Sequence, residues 1–234
     1  MHLERGMLLA FSAELVKLAT MAGKPLVTPD LEEVKEILKP GDIINTKVRE
    51  GHTKGIDKFF VWVSRKIQGS PYTHSSMYVG DGKIVNMGTD NKGEFTGPET
   101  PTKLQPIDVL KKHYEFKVLR PIRATWSERQ KAADWMKTQA GKVMPSAWKI
   151  VRMGLPIPKK SEERVREEPG SSACSEMVAN AYPNQPFGAG RASMSVRPVD
   201  IEKSPLTRTI AVFKPDDPPP PTKLQRFRAR LGSH

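Results

Sequence analysis

Few residues in this chain can do covalent chemistry: there is one cysteine, Cys174, and there are five histidines in 234 residues. A thiol attacks a carbonyl at neutral pH only when its pKa is lowered, and the first turn of a helix is one place where that happens. The segment SSACSEMVANAY, residues 171–182, offers such a placement. With Ser172 as N-cap, Cys174 falls in the first turn. Met177, Val178 and Ala181 follow it at three, four and seven residues, so the thiol shares the apolar face and points toward the body of the protein. The same helix start exposes unpaired N–H groups, and that of Cys174 is placed to stabilise an oxyanion. An inert, buried cysteine fits the same helix, so the reading as a nucleophile needs a base.

Four of the five histidines are poor candidates for that base. His2 and His234 sit near the ends, His52 follows Gly51 in a loop, and His113 stands among lysines before a strand. His74 differs, because it opens the strand THSSMYV of an expected hairpin whose loop is Gly80, Asp81 and Gly82. A three-residue loop sets Ser76 opposite Asn86, so that His74, Ser76, Tyr78, Ile84 and Asn86 share one face and Asn86 lies diagonally near the imidazole, able to orient it. A two-residue loop at Asp81 and Gly82 would send Asn86 to the other face, so the placement depends on the turn. A nucleophile, a base and an orienting side chain are the parts of a thiol hydrolase. Here they come in the order histidine, asparagine, cysteine. The papain order begins with its cysteine, so this order requires a permuted chain or an unrelated fold.

Several elements must position these residues. Thr28 is expected to cap a helix with Pro29 at its first position, running through LEEVKEIL to a stop at Pro40 and Gly41. A strand is expected over 41–48, a helix over 55–67 from the spacing of Ile56, Phe59, Phe60, Val63 and Ile67, and a strand over 116–122. WSERQKAADWMKTQAG predicts a helix over 126–141, capped by Ser127 and closed by Gly141. RTIAVFKP, residues 208–215, predicts a closing strand. Three parts follow: an N-terminal helical extension over 1–39, a catalytic domain over 40–215, and a Pro-rich basic tail over 216–234. The tail starts with a polyproline spacer and ends with Leu224, Phe227 and Leu231 on one possible helix face. It reads as a disordered tail or as a membrane or partner anchor. The charged segment 154–170, just before the cysteine helix, reads as a solvated connector or a rim over the site.

Composition narrows the function classes. One cysteine excludes an intramolecular disulfide, no Cys/His spacing suits zinc, and no metal or cofactor is expected. The 38 Lys plus Arg exceed the 26 Asp plus Glu for a formal charge of +12, which draws the protein toward polyanions such as anionic lipid or wall polymers. No zinc-finger spacing or RNA-recognition motif supports specific nucleic-acid reading. The N-terminal stretch, with Leu8, Phe11, Leu15, Leu18 and Ala22 at helical spacing, reads as an amphipathic helix rather than a signal peptide. No apolar run approaches bilayer length, so the expected location is the cytoplasm, with delivery by lysis or in a phage particle as the route to any wall substrate.

With these motifs in hand, the chain resembles the circularly permuted NlpC-type papain-like amidohydrolases, in particular the YiiX-like branch. KPGDIINTKV is similar to the opening Gly-Asp strand of that group, SPYTHSSMYVGDGKIVNM to its histidine hairpin, AADWMKTQAGK to the helix that follows, ACSEMVANAY to the cysteine helix, and RPVDIEKSPLTRTIAVF to the closing segment. Together they span residues 40–214. The resemblance implies an α+β fold, a small antiparallel sheet or half-barrel packed against helices, with Cys174 as nucleophile and His74 as general base. The third position, often glutamate in this branch, is Asn86, and the segment after Gly141 reads KVMPSAW where relatives often carry an aromatic and an acidic residue. The implied activity is amide hydrolysis through a thioester, on peptidoglycan peptides or related small peptides. Related permuted domains include acyltransferases and phospholipases, so an enzyme acting on lipid acyl groups is the alternative, and a silent binding or structural module of the same fold is the third.

Overall fold

The computed structural model of the protein describes residues 24–49, 65–66, 69–90, 100–142, 174–185, 187 and 196–216. The described elements are β1 (Leu26–Thr28), α1 (Leu31–Ile37), β2 (Ile43–Val48), β3 (His74–Gly80), β4 (Lys83–Asn86), β5 (Lys103–Pro106), a 3₁₀ turn (Ile107–Leu110), β6 (Tyr114–Pro121), α2 (Trp126–Lys137), α3 (Cys174–Ala181), α4 (Pro198–Glu202) and β7 (Thr207–Phe213). This is an α+β arrangement. The strands form one seven-stranded sheet in the order β1-β7-β6-β2-β3-β4-β5. Every neighbouring pair is antiparallel except β1 with β7, which is parallel.

Strand alternation loads both faces of the sheet with apolar side chains, and each face is covered. On one face Ile43, Met77, Val85 and Leu119 pack with Ala132, Ala133 and Met136 of α2, Met177 and Val178 of α3, and Ile201 of α4. On the other, Ile44, Tyr78, Ile84, Phe116, Val118 and Phe213 pack with Leu31 and Val34 of α1 and Ile107 and Leu110 of the 3₁₀ turn. Phe116 and Phe213 stack across β6 and β7 at 4.8 Å between ring centres. Burying a large apolar side chain contributes about 1.5–3 kcal/mol each. Residues 26–38, expected in a separate extension, thus supply an edge strand and a helix of this same packed unit, because Leu31, Val34 and Leu38 have apolar surface that only the sheet can cover.

Two helix starts differ from expectation. Asp30, not Thr28, caps α1, its carboxylate accepting from the Glu32 N–H at 2.9 Å. Thr28 ends β1, and its hydroxyl accepts from the Asp30 N–H instead. Thr125, not Ser127, caps α2 in a reciprocal pair with Glu128: Glu128 N–H donates to Thr125 Oγ1 at 3.2 Å and Thr125 N–H to Glu128 Oε2 at 2.7 Å. That box places the start one residue before the expected cap. α2 ends at Lys137, and Gly141, with φ of 89°, closes the turns beyond it. The three-residue β1 and the four-residue β5 carry no alternation long enough to be read. The helix expected over 55–67 falls outside the described residues except for Arg65 and Lys66, which are helical. The first amphipathic helix, the 154–170 segment and nearly all of the tail also lie outside them.

The Gly-Asp pair ahead of β2 ties the cysteine helix to the sheet. Asp42 is fully buried and receives Arg120 through Nε at 2.8 Å and Nη2 at 2.6 Å, with the Lys39 N–H at 2.8 Å. Gly41 has φ of 86° and its carbonyl accepts from the Tyr182 hydroxyl, just past α3, at 2.5 Å. A Cβ at Gly41 would meet the Tyr182 hydroxyl and the Cβ and carbonyl of Arg129, the latter two at 2.8 Å, whereas one at Gly82, also at positive φ, would meet nothing within 4 Å. Gly82→Ala should therefore cost only the backbone term, about 1 kcal/mol, and Gly41→Ala about 2–4 kcal/mol, read from denaturant midpoints. Equal losses at the two positions would contradict this packing.

Candidate active site

The β3–β4 hairpin decides where Asn86 points. Gly80 pairs with Lys83 across Asp81 and Gly82, whose φ angles of 53° and 66° make a two-residue left-handed loop. The ladder then shifts by one between Gly80 and Tyr78, so Tyr78 pairs with Ile84 and Met77 with Val85. Val79 is the extra residue of a bulge. The loop is one residue shorter than expected, and the bulge restores the register. Continuing it sets Ser76 opposite Asn86, on the His74 side of the strand.

His74 Nε2 and Asn86 Oδ1 lie 2.7 Å apart. The amide of Asn86 is oriented by its other partners, since Oδ1 accepts from the Met87 N–H at 3.1 Å and Nδ2 donates to Thr89 Oγ1 at 3.0 Å. With Oδ1 toward the ring, Nε2 must carry a proton, which leaves Nδ1 to exchange one with the thiol. Cys174, the first residue of α3, is within side-chain hydrogen-bonding reach of His74, and its sulfur also accepts from the backbone N–H groups of Ser75 and Ser175.

The Ser75 N–H is available because β4 is short. Tyr78 N–H donates to Asp42 O toward β2, so by ladder alternation Ser75 and Met77 direct theirs toward β4. β4 ends at Asn86, one position before it would supply Ser75 with a carbonyl. The sulfur occupies that place. By strand parity His74 shares a face with Tyr78, whereas α3 lies over the opposite face with Met77 and Val85. Histidine and cysteine thus approach from the two sides of the sheet and meet where β4 has left it. Ser75 Oγ donates to Asn45 Oδ1 at 2.7 Å and Asn45 Nδ2 to Pro198 O at 2.8 Å, fixing the start of β3 against α4. Ser175 Oγ donates to Val196 O at 2.6 Å, fixing the start of α3.

Burial pushes the Cys174 thiol up, but the His74 charge beside it, the hydrogen bond from the ring and the two backbone N–H donors outweigh that and hold it below the ordinary thiol range. For His74, burial pushes the imidazole down, while the thiolate, its hydrogen bond and the bond to Asn86 outweigh it and hold the ring above the ordinary value. Each charge stabilises the other. Both shifts favour the thiolate–imidazolium form of the pair over the neutral one.

Cys174, His74 and Asn86 are thus brought together. His113 stands apart, before β6, its carbonyl accepting from the Arg49 N–H. His2, His52, His234 and the expected cap Ser172 lie outside the described residues. The Ser75 amide and Thr89 carried no sequence signal, since one acts through its backbone and the other stands in an isolated bridge beyond the end of β4. Among the described residues no group of three or more His, Cys, Asp or Glu is arranged to hold a metal, and no helix is long and apolar enough to cross a membrane. Iodoacetamide labelling of Cys174 should rise with pH below the ordinary thiol range, and His74→Ala should move that rise upward and slow labelling at neutral pH at least about tenfold. An unchanged profile would contradict the ion pair.

No family model and no curated protein matches the chain. A crystal structure described as the metalloprotein YiiX from Escherichia coli O157:H7 aligns with it at a TM-score of 0.45 and 17% identity, over 74% of this chain and 96% of that one.

Proposed function

We propose that the chain is a cysteine-dependent hydrolase of amide bonds with a permuted papain-like, NlpC-type arrangement, and that its substrates are peptidoglycan peptides or related small peptides. The observation that carries this reading is His74 held between Asn86 and the Cys174 sulfur. In the reaction the Cys174 thiolate attacks the carbonyl carbon, and the negative charge that moves to oxygen is met by the N–H at the start of α3. The His74 imidazolium gives its Nδ1 proton to the departing amine as the C–N bond breaks, leaving a thioester. Neutral His74 then takes a proton from water as the water attacks that thioester, releasing the acid and restoring thiolate and imidazolium. Asn86 keeps the ring aligned through both steps but places no charge behind it, unlike a glutamate. The net charge of +12 suits an anionic polymer as substrate surface.

Cys174→Ala and His74→Ala should each lower turnover of a muropeptide stem by about a thousandfold or more while circular dichroism and melting stay near wild type. Turnover retained by folded Cys174→Ala protein would sink the mechanism. Turnover confined to acyl esters of lipids, lost in the same two variants, would move the substrate class to acyl groups and keep the nucleophile.

A further inference from the structure

We infer that Thr89 is a positioning residue for this site, acting through Asn86 to set which nitrogen of His74 carries the proton; the inference rests on the roles proposed for Cys174 and His74. Thr89 Oγ1 accepts from Asn86 Nδ2 and from Gln105 Nε2, each at 3.0 Å. Two N–H donors converging on one hydroxyl oxygen commit both lone pairs, so its own proton points away from Asn86. Asn86, Thr89 and Gln105 are 1%, 2% and 6% exposed, which leaves no bulk water to replace a lost partner.

The consequence reaches the ring through the amide. With Nδ2 held by Thr89, and the Met87 N–H on Oδ1, the oxygen faces His74 Nε2 at 2.7 Å. That selects the Nε2–H tautomer of the neutral ring and frees the Nδ1 lone pair for the thiol proton. If Asn86 Nδ2 loses its acceptor, the buried amide must turn to find another, and Oδ1 no longer stays on Nε2. A ring with its proton on Nδ1 cannot accept one from sulfur there, so the thiol loses its base without any change in Cys174 or His74. Gln105 arrives from β5, opposite Ile84, so the outer strand of the sheet also reaches the site through this hydroxyl.

The test reads thiol reactivity rather than turnover, using iodoacetamide and the full chain. Thr89→Val, nearly isosteric, should slow labelling of Cys174 at neutral pH about tenfold, the size one lost buried hydrogen bond gives, and move the labelling rise to higher pH. Thr89→Ser, which keeps the oxygen, should stay within about twofold of wild type. Because Thr89 acts through Asn86, Thr89→Val should add nothing to Asn86→Ala. Folded Thr89→Val with a wild-type profile, Thr89→Ser as slow as Thr89→Val, or a further loss in the double variant would each overturn the inference. If the valine variant does not fold, Thr89→Ala removes the same oxygen without added bulk and is held to the same outcomes. Turnover by Cys174→Ala would defeat the hydrolase reading and leave this result standing.

Discussion

A slip of one residue in the β3–β4 pairing would turn Asn86 to the other face of the sheet and leave His74 without its 2.7 Å partner. The two-residue loop at Asp81 and Gly82 would impose that slip by itself, and the extra residue at Val79 cancels it. The same short return strand exposes the Ser75 N–H that the sulfur uses. The hairpin therefore sets the side chain that orients the His74 ring and opens the gap that receives the Cys174 sulfur.

The rest of the fold holds the cysteine helix over that gap. α3 is pinned near its start by Ser175 on Val196 O and past its end by Tyr182 on Gly41 O, and its apolar side chains fill the face formed by Ile43, Met77 and Val85. Such anchoring matters because burial alone acts against both charged partners, raising the thiol and lowering the imidazole. Only a short, fixed separation lets mutual attraction and backbone N–H donors exceed that penalty. A helix free to move would weaken both the mutual attraction and the N–H contacts that oppose burial.

The three residues that the fold brings together, Cys174, His74 and Asn86, were legible in the sequence because each sits on an element with a strong local pattern: the 3.6-residue stripe behind Cys174, and the alternation on either side of the Gly80–Gly82 turn. The bulge at Val79 was not, since the choice between loop lengths is made by packing against β2 and β5. The opposed approach of His74 and Cys174 from two faces of the sheet was equally hidden; it depends on where β4 stops and on nothing in either motif. The Thr125–Glu128 box is present in TWSE, with its cap two residues ahead of the expected Ser127. β1 was missed because three residues carry no period, and with it the fact that residues 26–38 belong to the sheet. Thr89 and Gln105 stand 3 and 19 residues from Asn86 with no shared pattern, and only the folded sheet joins them.

The central claim is that Cys174 and His74 titrate as one pair, and NMR titration of the His74 ring tests it most directly. In the wild-type protein the ring should titrate above the ordinary imidazole value of 6.5, because the thiolate beside it favours the charged form. In Cys174→Ala, with the thiolate gone and burial remaining, the titration should move to lower pH. A His74 titration that is the same in both proteins would contradict the account.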